Sequence, residues 1–384
     1  MKYRLFDFSS GDGELLTRGG LERVIDHAEA IEQVLGELRA GDWIVSEDDL
    51  AAVGFKAIMA EGRTGCLELT PEVIDSMEAC NNIAPAHNPP YIRGIRLFAE
   101  KMPSVPLVGL FETAFYQWAP EASICYAVPQ SWHDAGIRRW GFHGASHKFI
   151  AERSAELLGR DDVAQRARNL YVDDAGSPVD GPPLRVVSCH LGGSSSITGI
   201  LNGAAVGNSM GLSPQSGLPP KHRVGDLDSM AVLHMMRREG LSIDDVENAL
   251  CNEGGLKGLS GGHNDIRDII SEAGSGNAQA KHALDVYVHS ARHWLGAYLA
   301  QLNGLDALVF TAGIGENRAG IRAAICANLD QLGIRLDAEK NAAAQAGETV
   351  ISADDSPAKV MIIPTNEELV VAREVKRYLD HRRN

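Results

Sequence analysis

Two short apolar runs, each followed by a turn that contains glycine, place the strongest constraint on the fold of this chain. The first run, 184–189, precedes Gly192-Gly193, and the second run, 307–312, precedes Gly313-Ile314-Gly315. Runs of this length and composition predict buried strands of an α/β sheet. Glycine turns expose backbone N–H groups to which a phosphate oxygen can come close. One such turn is equally typical of an ordinary strand-to-strand connection, but two in one chain favour a bound nucleotide.

Neither turn matches the common nucleotide-binding motifs. No Gly-Lys-Ser/Thr follows, so neither is a Walker A loop, and neither has the glycine spacing of the dinucleotide-binding fingerprint. The phosphates must therefore be held in another way.

Composition limits the class of protein and the kind of partner. A chain of 384 residues is long for one core, which predicts two domains. It has no apolar run of about 18 residues, no signal-peptide pattern and no paired spacing among its six cysteines, all of which predict a cytoplasmic protein. The net charge of -15 repels nucleic acid and anionic membranes, so we expect a small-molecule substrate held by individual basic groups.

Two polar side chains follow features that α/β proteins use to place ligand-facing groups. Glu112 comes after the apolar run 105–111, at the carboxyl end of a predicted strand, although a helix-capping role is the alternative. His143 lies between Phe142 and Gly144, where it is free to point into a cleft, although a lone histidine is more often structural.

Two polar loops add further candidates. Arg223 lies in a long non-helical segment, where it can clamp phosphate or carboxylate oxygens or form an ion pair with Asp226. His87 and Asn88 lie among three prolines, which predicts a rigid loop rather than a helix. His87 is then either a substrate-facing group or the cap of a helix at 92–101.

The remaining periodic segments outline the other elements. Strands are predicted at 2–8, within 49–59 and at 360–363, and a turn at 364–368. Helices are predicted at Leu21–Ala40, from Thr70-Pro71 toward Asn81, at 149–158, 227–239, after Ser242, at 278–302, from Arg318 onward and at 369–379, with a surface insertion at 173–183.

Eight motifs, in this order along nearly the whole chain, resemble those of the acetate kinase family. They are Ala86-His87-Asn88-Pro89-Pro90, Phe111-Glu112-Thr113-Ala114-Phe115, Gly141-Phe142-His143-Gly144, His190-Leu191-Gly192, Met210-Gly211, Arg223 with Gly225-Asp226, Gly313-Ile314-Gly315-Glu316-Asn317 and Pro364-Thr365-Asn366-Glu367-Glu368. The resemblance implies an α/β fold of two actin-like (RNase H-like) domains with the ligand cleft between them, and a homodimer. The N-terminal domain is expected at 1–117 plus 368–384, and the nucleotide-binding domain at 118–367.

The resemblance also implies an activity and roles for single residues. The activity is the reversible transfer of the ATP γ-phosphoryl group to acetate, giving acetyl phosphate and ADP, with Mg²⁺ or alternatively Mn²⁺. Glu112 matches the family's catalytic Asp, His143 and Arg223 match the residues that stabilise the transferring phosphoryl group, and Glu367 matches the magnesium-site carboxylate. The matching ATP-binding residues are His190, Leu191, Gly192, Gly193, Ser194, Asp265, Ile266, Arg267, Gly313, Ile314, Gly315, Glu316 and Asn317, and the candidate substrate-binding residues are Lys56 and His87.

Four departures from the family pattern bear on this activity. The family opens with a strand and an Asn-x-Gly-Ser-Ser-Ser-Leu-Lys turn, and this chain starts where that Lys falls, so the first strand of the N-terminal domain is expected to be missing, with a gap in its sheet. Where the family has its substrate-side Arg, this chain has Lys56, which keeps the charge but cannot bind a carboxylate through two parallel hydrogen bonds. The catalytic Asp is Glu112, whose extra methylene is expected to move the carboxylate by about 1 Å and cost about a hundredfold in rate unless the loop adjusts. The phosphate loop has Gly193-Ser194 in place of Asn-Gly.

These departures leave two alternatives to acetate kinase activity. One is a kinase for another short-chain carboxylate, such as propionate or butyrate, which the changed residues around Lys56 favour. The other is a catalytically impaired homologue that binds nucleotide.

Overall fold

The chain forms two units, each with its own sheet. The computed structural model describes residues 2–21, 26–85, 87–172 and 179–383. Unit 1 takes the described residues within Met1–Gln117, Gly144–Ser146 and Asn366–Asn384, and unit 2 takes those within Trp118–His143 and His147–Thr365.

Eleven strands and sixteen α-helices are assigned among the described residues. The strands are β1 Lys2–Asp7, β2 Glu14–Gly20, β3 Val53–Ala57, β4 Cys66–Glu68, β5 Leu107–Phe111, β6 Arg185–Leu191, β7 Ser195–Leu201, β8 Ala204–Asn208, β9 Ala307–Thr311, β10 Thr349–Val350 and β11 Lys359–Ile362. The helices are α1 His27–Ala40, α2 Pro71–Glu78, α3 Asn88–Lys101, α4 Glu121–Ile124, α5 Gln130–Asp134, α6 Gly144–Leu157, α7 Asp161–Arg168, α8 Ser229–Glu239, α9 Ile243–Asn248, α10 Gly255–Leu259, α11 Ile266–Gly274, α12 Ala278–Leu302, α13 Ala312–Asn317, α14 Ala319–Cys326, α15 Ala338–Ala343 and α16 Glu367–Arg383. Short 3₁₀ turns cover Glu47–Asp49, Ala114–Tyr116 and Asp330–Leu332, and a π-helical turn covers Ala249–Glu253.

The sheet of unit 2 places the two predicted apolar strands side by side. Its order is β10-β11-β9-β6-β7-β8, in which β6 is parallel to β9 and antiparallel to β7. If β6, β7, β8, β9 and β11 are numbered 1 to 5 in chain order, their order across the sheet is 3-2-1-4-5, and β10 adds an edge strand beside β11. The parallel register pairs Val186 with Ala307 and His190 with Thr311. Both glycine-containing segments therefore start at the end of the sheet where the carboxyl ends of β6 and β9 lie.

The long helix α12 covers this sheet, and it has the bounds that the sequence predicts. Its buried residues recur three or four positions apart, from Ala280 through Tyr287 to Leu302, which gives one apolar face. Asn277 caps its first turn by accepting hydrogen bonds from the backbone N–H groups of Gln279 and Ala280. The buried face packs on β6 and β7, so apolar burial holds the helix to the sheet.

Unit 1 has a three-stranded sheet in the order β3-β5-β4 and a separate antiparallel pair, β1 with β2. The central strand β5 is parallel to β3 and antiparallel to β4, and all five of its residues are buried. Helices α2 and α3 supply much of the core around it, and α16 also packs on this sheet. The predicted gap left by a missing opening strand is not tested by this arrangement and stays a prediction.

The prediction that prolines keep His87 and Asn88 out of a helix is wrong for Asn88. Helix α3 begins at Asn88, and Pro89 and Pro90 lie in its first turn. Proline is tolerated there because the backbone N–H groups of the first turn have no partner within the helix. Asn88 is buried, and its side-chain amide donates to the carbonyl oxygens of Met59 and Met77. His87 stands at the N-cap position, but its side chain does not cap the helix.

Three other predicted boundaries differ from the structure. The segment Gly313–Asn317, predicted as a turn, lies in the short helix α13, whose first residue, Ala312, has left-handed backbone (φ 63°). His190 and Leu191 lie within β6 rather than in the turn that follows it. Glu367 opens α16 instead of ending a turn, in keeping with the preference of acidic residues for a helix N-terminus.

Three sequence features lie partly or wholly outside the described residues. The helix predicted from Leu21 is seen from His27, and residues 22–25 are not described. The insertion predicted at 173–183 is described only from residue 179, and the motif residue Ala86 is not described. Across the part of the chain that the structure describes, no helix is both long enough and apolar enough to span a bilayer.

Candidate functional site

One lysine and two glutamates come together in unit 1. Lys56 lies on β3, Glu112 directly follows β5, and Glu367 opens α16, so the parallel pairing of β3 with β5 places the first two at one end of the sheet. Lys56 Nζ lies 3.2 Å from Glu112 Oε1 and 2.7 Å from Glu367 Oε2. Glu112 is only 3% exposed. The ammonium group therefore bridges two acids that are far apart in sequence.

Burial and charge shift the pKa values of this cluster in opposite directions. Burial raises the pKa of the Glu112 carboxyl, Lys56 lowers it, Glu367 raises it again, and the net pKa lies above the ordinary value. Burial disfavours the charge of Lys56, but the two carboxylates outweigh this and raise the pKa of the ammonium group. Burial also raises the pKa of the nearby Tyr91 phenol. Lys56 thus stays charged, and its charge opposes the rise in the pKa of Glu112 that burial causes.

The backbone around Glu112 is fixed on both sides. Its N–H donates to Ala57 O at 2.8 Å, and its carbonyl oxygen accepts from Gly144 N at 3.0 Å. A Cβ atom at Gly144 would lie 2.3 Å from that carbonyl oxygen, so position 144 requires glycine. The Glu112 carboxylate pairs with Lys56, and the backbone N–H of Gly144, the first residue of α6, lowers its pKa, so the capping alternative stays a prediction.

The two carboxylates fit part of a magnesium site. Glu112 Oε2 is buried and has no hydrogen-bond partner, which leaves an unused acceptor beside Glu367. Mg²⁺ typically takes one or two protein carboxylates and completes its shell with water and substrate phosphates. No group of three or more His, Cys, Asp or Glu side chains is arranged to hold a metal in the described ranges. The donor set therefore fits an ion that a nucleotide brings with it better than a metal held by protein alone.

In unit 2, the predicted phosphate turn is a hairpin between β6 and β7. Gly192 N donates to Ser194 O at 3.0 Å, which closes the turn, and Ser195 Oγ donates to Gly192 O. The turn is thus a strand-to-strand connection and also a glycine loop. Lys221 lies over it, since a Cβ atom at Gly193 would be 3.4 Å from Lys221 Cε. The sequence analysis missed Lys221, although its place two residues before Arg223 in the same polar loop was a usable signal.

A cluster of histidines and serines adjoins this hairpin. The rings of His143 and His190 stack with centroids 4.1 Å apart. His143 Nδ1 lies 2.7 Å from Ser196 Oγ, and His147 Nε2 lies 2.8 Å from the same hydroxyl oxygen. His143 has left-handed backbone (φ 58°), which is uncommon for a residue other than glycine and is typical of functional positions. The sequence analysis singled out His143 and His190 but not His147 or Ser196.

Arg223 is a buried cation without an acidic partner. Its side chain donates from Nη1 to Pro214 O at 2.8 Å, and the residue is 5% exposed. Burial lowers the pKa of its guanidinium to about 10, so it is still charged at neutral pH. Across the described residues no carboxylate pairs with it, because Asp226 instead accepts from Gly217 N and Trp294 Nε1. The predicted ion pair with Asp226 is therefore wrong, and the unpaired charge suits an anionic ligand.

Asn317, the last residue of one predicted nucleotide segment, lines a cavity of about 660 Å³ within unit 2. Asp265 caps α11 and forms a bidentate pair with Arg267, whose N–H groups hold the pKa of the Asp265 carboxyl well below its usual range. Ile270, one turn after Ile266 in α11, lines the cavity, whereas residues 265–267 are not among its lining residues. The further lining residues are Leu284, Asp285, Val288, His289, Arg292, Arg318, Ala319, Gly320, Ile321 and Ala324.

A buried arginine holds α13 in place. Arg322, which is 1% exposed, donates from Nη1 to the carbonyl oxygens of Gly315 and Glu316, and from Nε to Asn341 Oδ1. The carbonyl groups at the end of a short helix are otherwise unsatisfied, so this contact fixes the segment that follows β9. The sequence analysis placed Arg322 in an ordinary helix and missed it.

The structure thus groups the predicted residues by unit. Lys56, Glu112 and Glu367 form the cluster of unit 1. His143, His190 and the hairpin residues adjoin one another in unit 2, which also holds Arg223 and the segments 265–267 and 313–317.

Comparison with known proteins gives the family. Residues 20–373 match the model of the acetokinase family. The acetate kinase of Alkaliphilus metalliredigens is 41% identical over 355 residues, covering 91% of this chain and 85% of that protein. That of Natranaerobius thermophilus is 37% identical over 403 residues, covering 98% and 96%.

Solved structures agree. The Porphyromonas gingivalis acetate kinase matches with a TM-score of 0.79 and 32% identity, covering 96% of this chain and 88% of that one. A propionate kinase from Francisella tularensis also has a TM-score of 0.79 and 32% identity, covering 93% and 86%. The fold and these matches define a phosphotransferase with an actin-like α/β fold. The chain belongs to the acetokinase family, whose enzymes use ATP as co-substrate. The predicted family and fold class are confirmed, whereas the predicted domain bounds and site roles stay predictions.

Replacing Lys56 by methionine should destabilise the protein, since the buried Glu112 and the half-buried Glu367 lose their cation. We expect Lys56→Met to lower the free energy of unfolding by about 2–3 kcal/mol at pH 8, measured by urea unfolding. Without Lys56 the pKa of Glu112 should rise further above its unfolded value, so the loss should grow as pH rises. Lys340→Met, which removes exposed pairs with Asp354 and Asp337, is the matched control and should cost no more than about 1 kcal/mol. Equal losses in the two variants would contradict the bridging role.

His147 should make stability depend on pH. Its pKa is well below the ordinary value because it is fully buried, so the unfolded chain binds a proton below about pH 6.5 that the folded chain does not. Stability is therefore lost as pH falls, by up to about 1.4 kcal/mol per pH unit from this residue. Urea unfolding between pH 8 and 5.5 should show a flatter dependence for His147→Gln. His282→Gln, at an exposed position, should keep the wild-type slope, and parallel slopes for all three proteins would disprove the assignment.

Proposed function

We propose that this chain catalyses the reversible transfer of the γ-phosphoryl group of ATP to acetate, giving acetyl phosphate and ADP. The observation that carries the proposal, beside the family match, is the buried guanidinium of Arg223, which has no carboxylate partner in the part of the chain that the structure describes. Transfer of a phosphoryl group to a carboxylate requires little covalent help, but it needs cationic groups and hydrogen-bond donors around the equatorial oxygens of phosphorus. Arg223 is charged, rigidly held and available for that role.

His143 is the second group proposed to stabilise the transferring phosphoryl group. Its ring is held by the stack on His190 and by Ser196 Oγ, so it is oriented before any ligand binds. Donors that are already oriented stabilise developing charge without reorganisation. Lys221, which lies over the Gly192–Ser194 turn, is proposed to add positive charge at the phosphates.

The nucleotide is proposed to bind in unit 2. The glycine hairpin at 190–194 supplies phosphate contacts, and the 660 Å³ cavity bordered by Ile270 and Asn317 has the apolar walls and the size that a nucleoside needs. Asp265, Ile266, Arg267 and 313–317 are the proposed adenosine-contacting segments.

Glu112 and Glu367 are proposed to provide the acidic part of the site. Glu112 is proposed as the catalytic acid residue and Glu367 as the ligand of Mg²⁺ or Mn²⁺. When bound, the ion neutralises charge on the phosphate oxygens. Glu112 Oε2 is buried and has no hydrogen-bond partner among the described residues, which supports a metal ion on that side of the cluster. Lys56 and His87 remain the proposed residues on the acetate side.

Neither alternative is favoured. The curated relatives at 35–41% identity are acetate kinases, which supports acetate as the acceptor. The propionate kinase among the structural matches makes the preference among short acids worth measuring. An impaired homologue is not favoured because Arg223 and His143 keep ordered surroundings that suit catalysis.

We also propose that the protein is a cytoplasmic homodimer. Its six cysteines are free, which suits a reducing compartment. No residue of α8 is buried, and large apolar side chains are exposed on it and beside it, at Leu227, Met230, Leu233, Met235 and Ile243. Such an exposed apolar face is typical of a protein interface.

A coupled assay for ADP and acetyl phosphate tests the activity. We expect turnover with ATP, Mg²⁺ and acetate, and slower turnover with propionate and butyrate. Arg223→Ala should lower kcat by about a thousandfold and His143→Ala by about a hundredfold, because each removes stabilisation of the transition state. Arg335→Ala, which removes an exposed pair with Asp355, should keep wild-type turnover. A folded protein that binds ATP but turns over no acid would refute the proposal in favour of the impaired homologue.

Light scattering after size exclusion tests the dimer. The wild type should have twice the 41.2 kDa mass of the chain. Met230→Glu with Leu233→Glu should give the monomer, since two buried carboxylates would oppose association. Leu332→Glu, at an exposed apolar position outside α8, should stay dimeric. A monomeric wild type, or a dimer unaffected by the double substitution, would rule out this interface.

A further inference from the structure

Four side chains of unit 2 form a continuous chain of hydrogen bonds that ends at His143. Ser188 Oγ lies 2.8 Å from His147 Nδ1, His147 Nε2 lies 2.8 Å from Ser196 Oγ, and Ser196 Oγ lies 2.7 Å from His143 Nδ1. Ser188 and Ser196 lie on the neighbouring strands β6 and β7, and His147 lies in α6. Ser188, His147 and Ser196 are fully buried, so water cannot replace any of these contacts.

His147 carries a single ring proton. Burial holds the pKa of this ring well below its ordinary value, so the ring is neutral at neutral pH. A neutral imidazole has one N–H donor and one acceptor nitrogen. His147 must therefore donate to one serine and accept from the other, which gives the chain a direction.

The buried end of the chain decides that direction. Ser188 Oγ has no other partner than His147 Nδ1 among the described residues. If His147 donated to Ser188, the hydroxyl proton of Ser188 would have no acceptor. A buried donor without an acceptor is rarer and more costly than an oxygen with an unused lone pair. Ser188 therefore donates to His147 Nδ1.

The other assignments follow from this one. His147 carries its proton on Nε2 and donates it to Ser196 Oγ. Ser196 has one hydroxyl proton, and His147 Nε2 cannot accept it, so it goes to His143 Nδ1. His143 is then an acceptor at Nδ1, and the proton of its neutral ring lies on Nε2.

We propose that Ser188, His147 and Ser196 are positioning residues that hold His143 as the Nε2–H tautomer. The ring stack with His190 at 4.1 Å fixes the plane of the same imidazole, so both its orientation and its proton are set by the protein. The role that follows, a permanent Nε2–H donor for an anionic phosphoryl oxygen, rests on the proposed function. The tautomer itself does not.

Nuclear magnetic resonance of the full chain with ¹⁵N-labelled histidine tests the tautomer without substrate. Long-range ¹H–¹⁵N spectra at pH 8 should show an unprotonated Nδ1 and a protonated Nε2 for both His143 and His147. The hydroxyl proton of Ser196 should exchange slowly with water. Protonation of either ring at Nδ1 would overturn the proposal whether or not the protein phosphorylates acetate.

Substitution of Ser196 separates positioning from packing. Ser196→Ala should allow forms of His143 with a protonated Nδ1, and should lower kcat about tenfold while KM for ATP changes less than twofold. Ser196→Cys keeps the size of the side chain and a weak hydrogen-bond donor. Its kcat should therefore lie between those of the wild type and Ser196→Ala. Ser154→Ala is the matched control, since Ser154 is equally buried on α6 and its Oγ has no partner. Unchanged His143 spectra in Ser196→Ala would overturn the proposal. If that variant does not fold, the wild-type spectra still show which nitrogen of His143 carries the proton.

Discussion

The parallel pairing of β6 with β9 is the interaction on which the architecture of unit 2 depends. It sets His190 opposite Thr311, and through them it brings the glycine hairpin and the start of α13 to one edge of the sheet. Because a shift of one residue would turn every side chain of a strand to the other face, the buried apolar residues of both strands fix this register. The hairpin and the α13 segment therefore owe their common position to core packing rather than to contacts between themselves.

Electrostatics play different parts in the two units. In unit 1 a lysine lies between two acids, so each carboxylate has a cation beside it within the protein. In unit 2 Arg223 is buried with no carboxylate beside it, which is a less stable arrangement on its own. An anion bound there, as proposed, would relieve this cost, so the burial that works against folding would add to the affinity for phosphate.

The sequence predicted the features that depend on local pattern and missed those that depend on tertiary contact. The periodicity of 278–302 gave the bounds of α12, and Thr70 with Pro71 gave the start of α2. The prolines after Asn88 gave a wrong prediction of a loop, because proline breaks a helix in its interior but is tolerated in its first turn, where Pro89 and Pro90 lie. The Lys56 to Glu367 pair joins residues 311 positions apart, and nothing local indicates it. Ser188, Ser196 and Arg322 have ordinary sequence surroundings, and only the packing of strands and helices gives them a role.

The contact of Arg322 with the end of α13 has a consequence for the thermodynamics of ligand binding. Its guanidinium already holds the carbonyl groups of Gly315 and Glu316, so the backbone of this segment is ordered in the absence of nucleotide. Loops that become ordered only on binding reduce affinity by the conformational entropy they lose. Here that entropy is lost when the chain folds, and the binding of a nucleotide beside α13 should carry a correspondingly small entropic penalty from the protein.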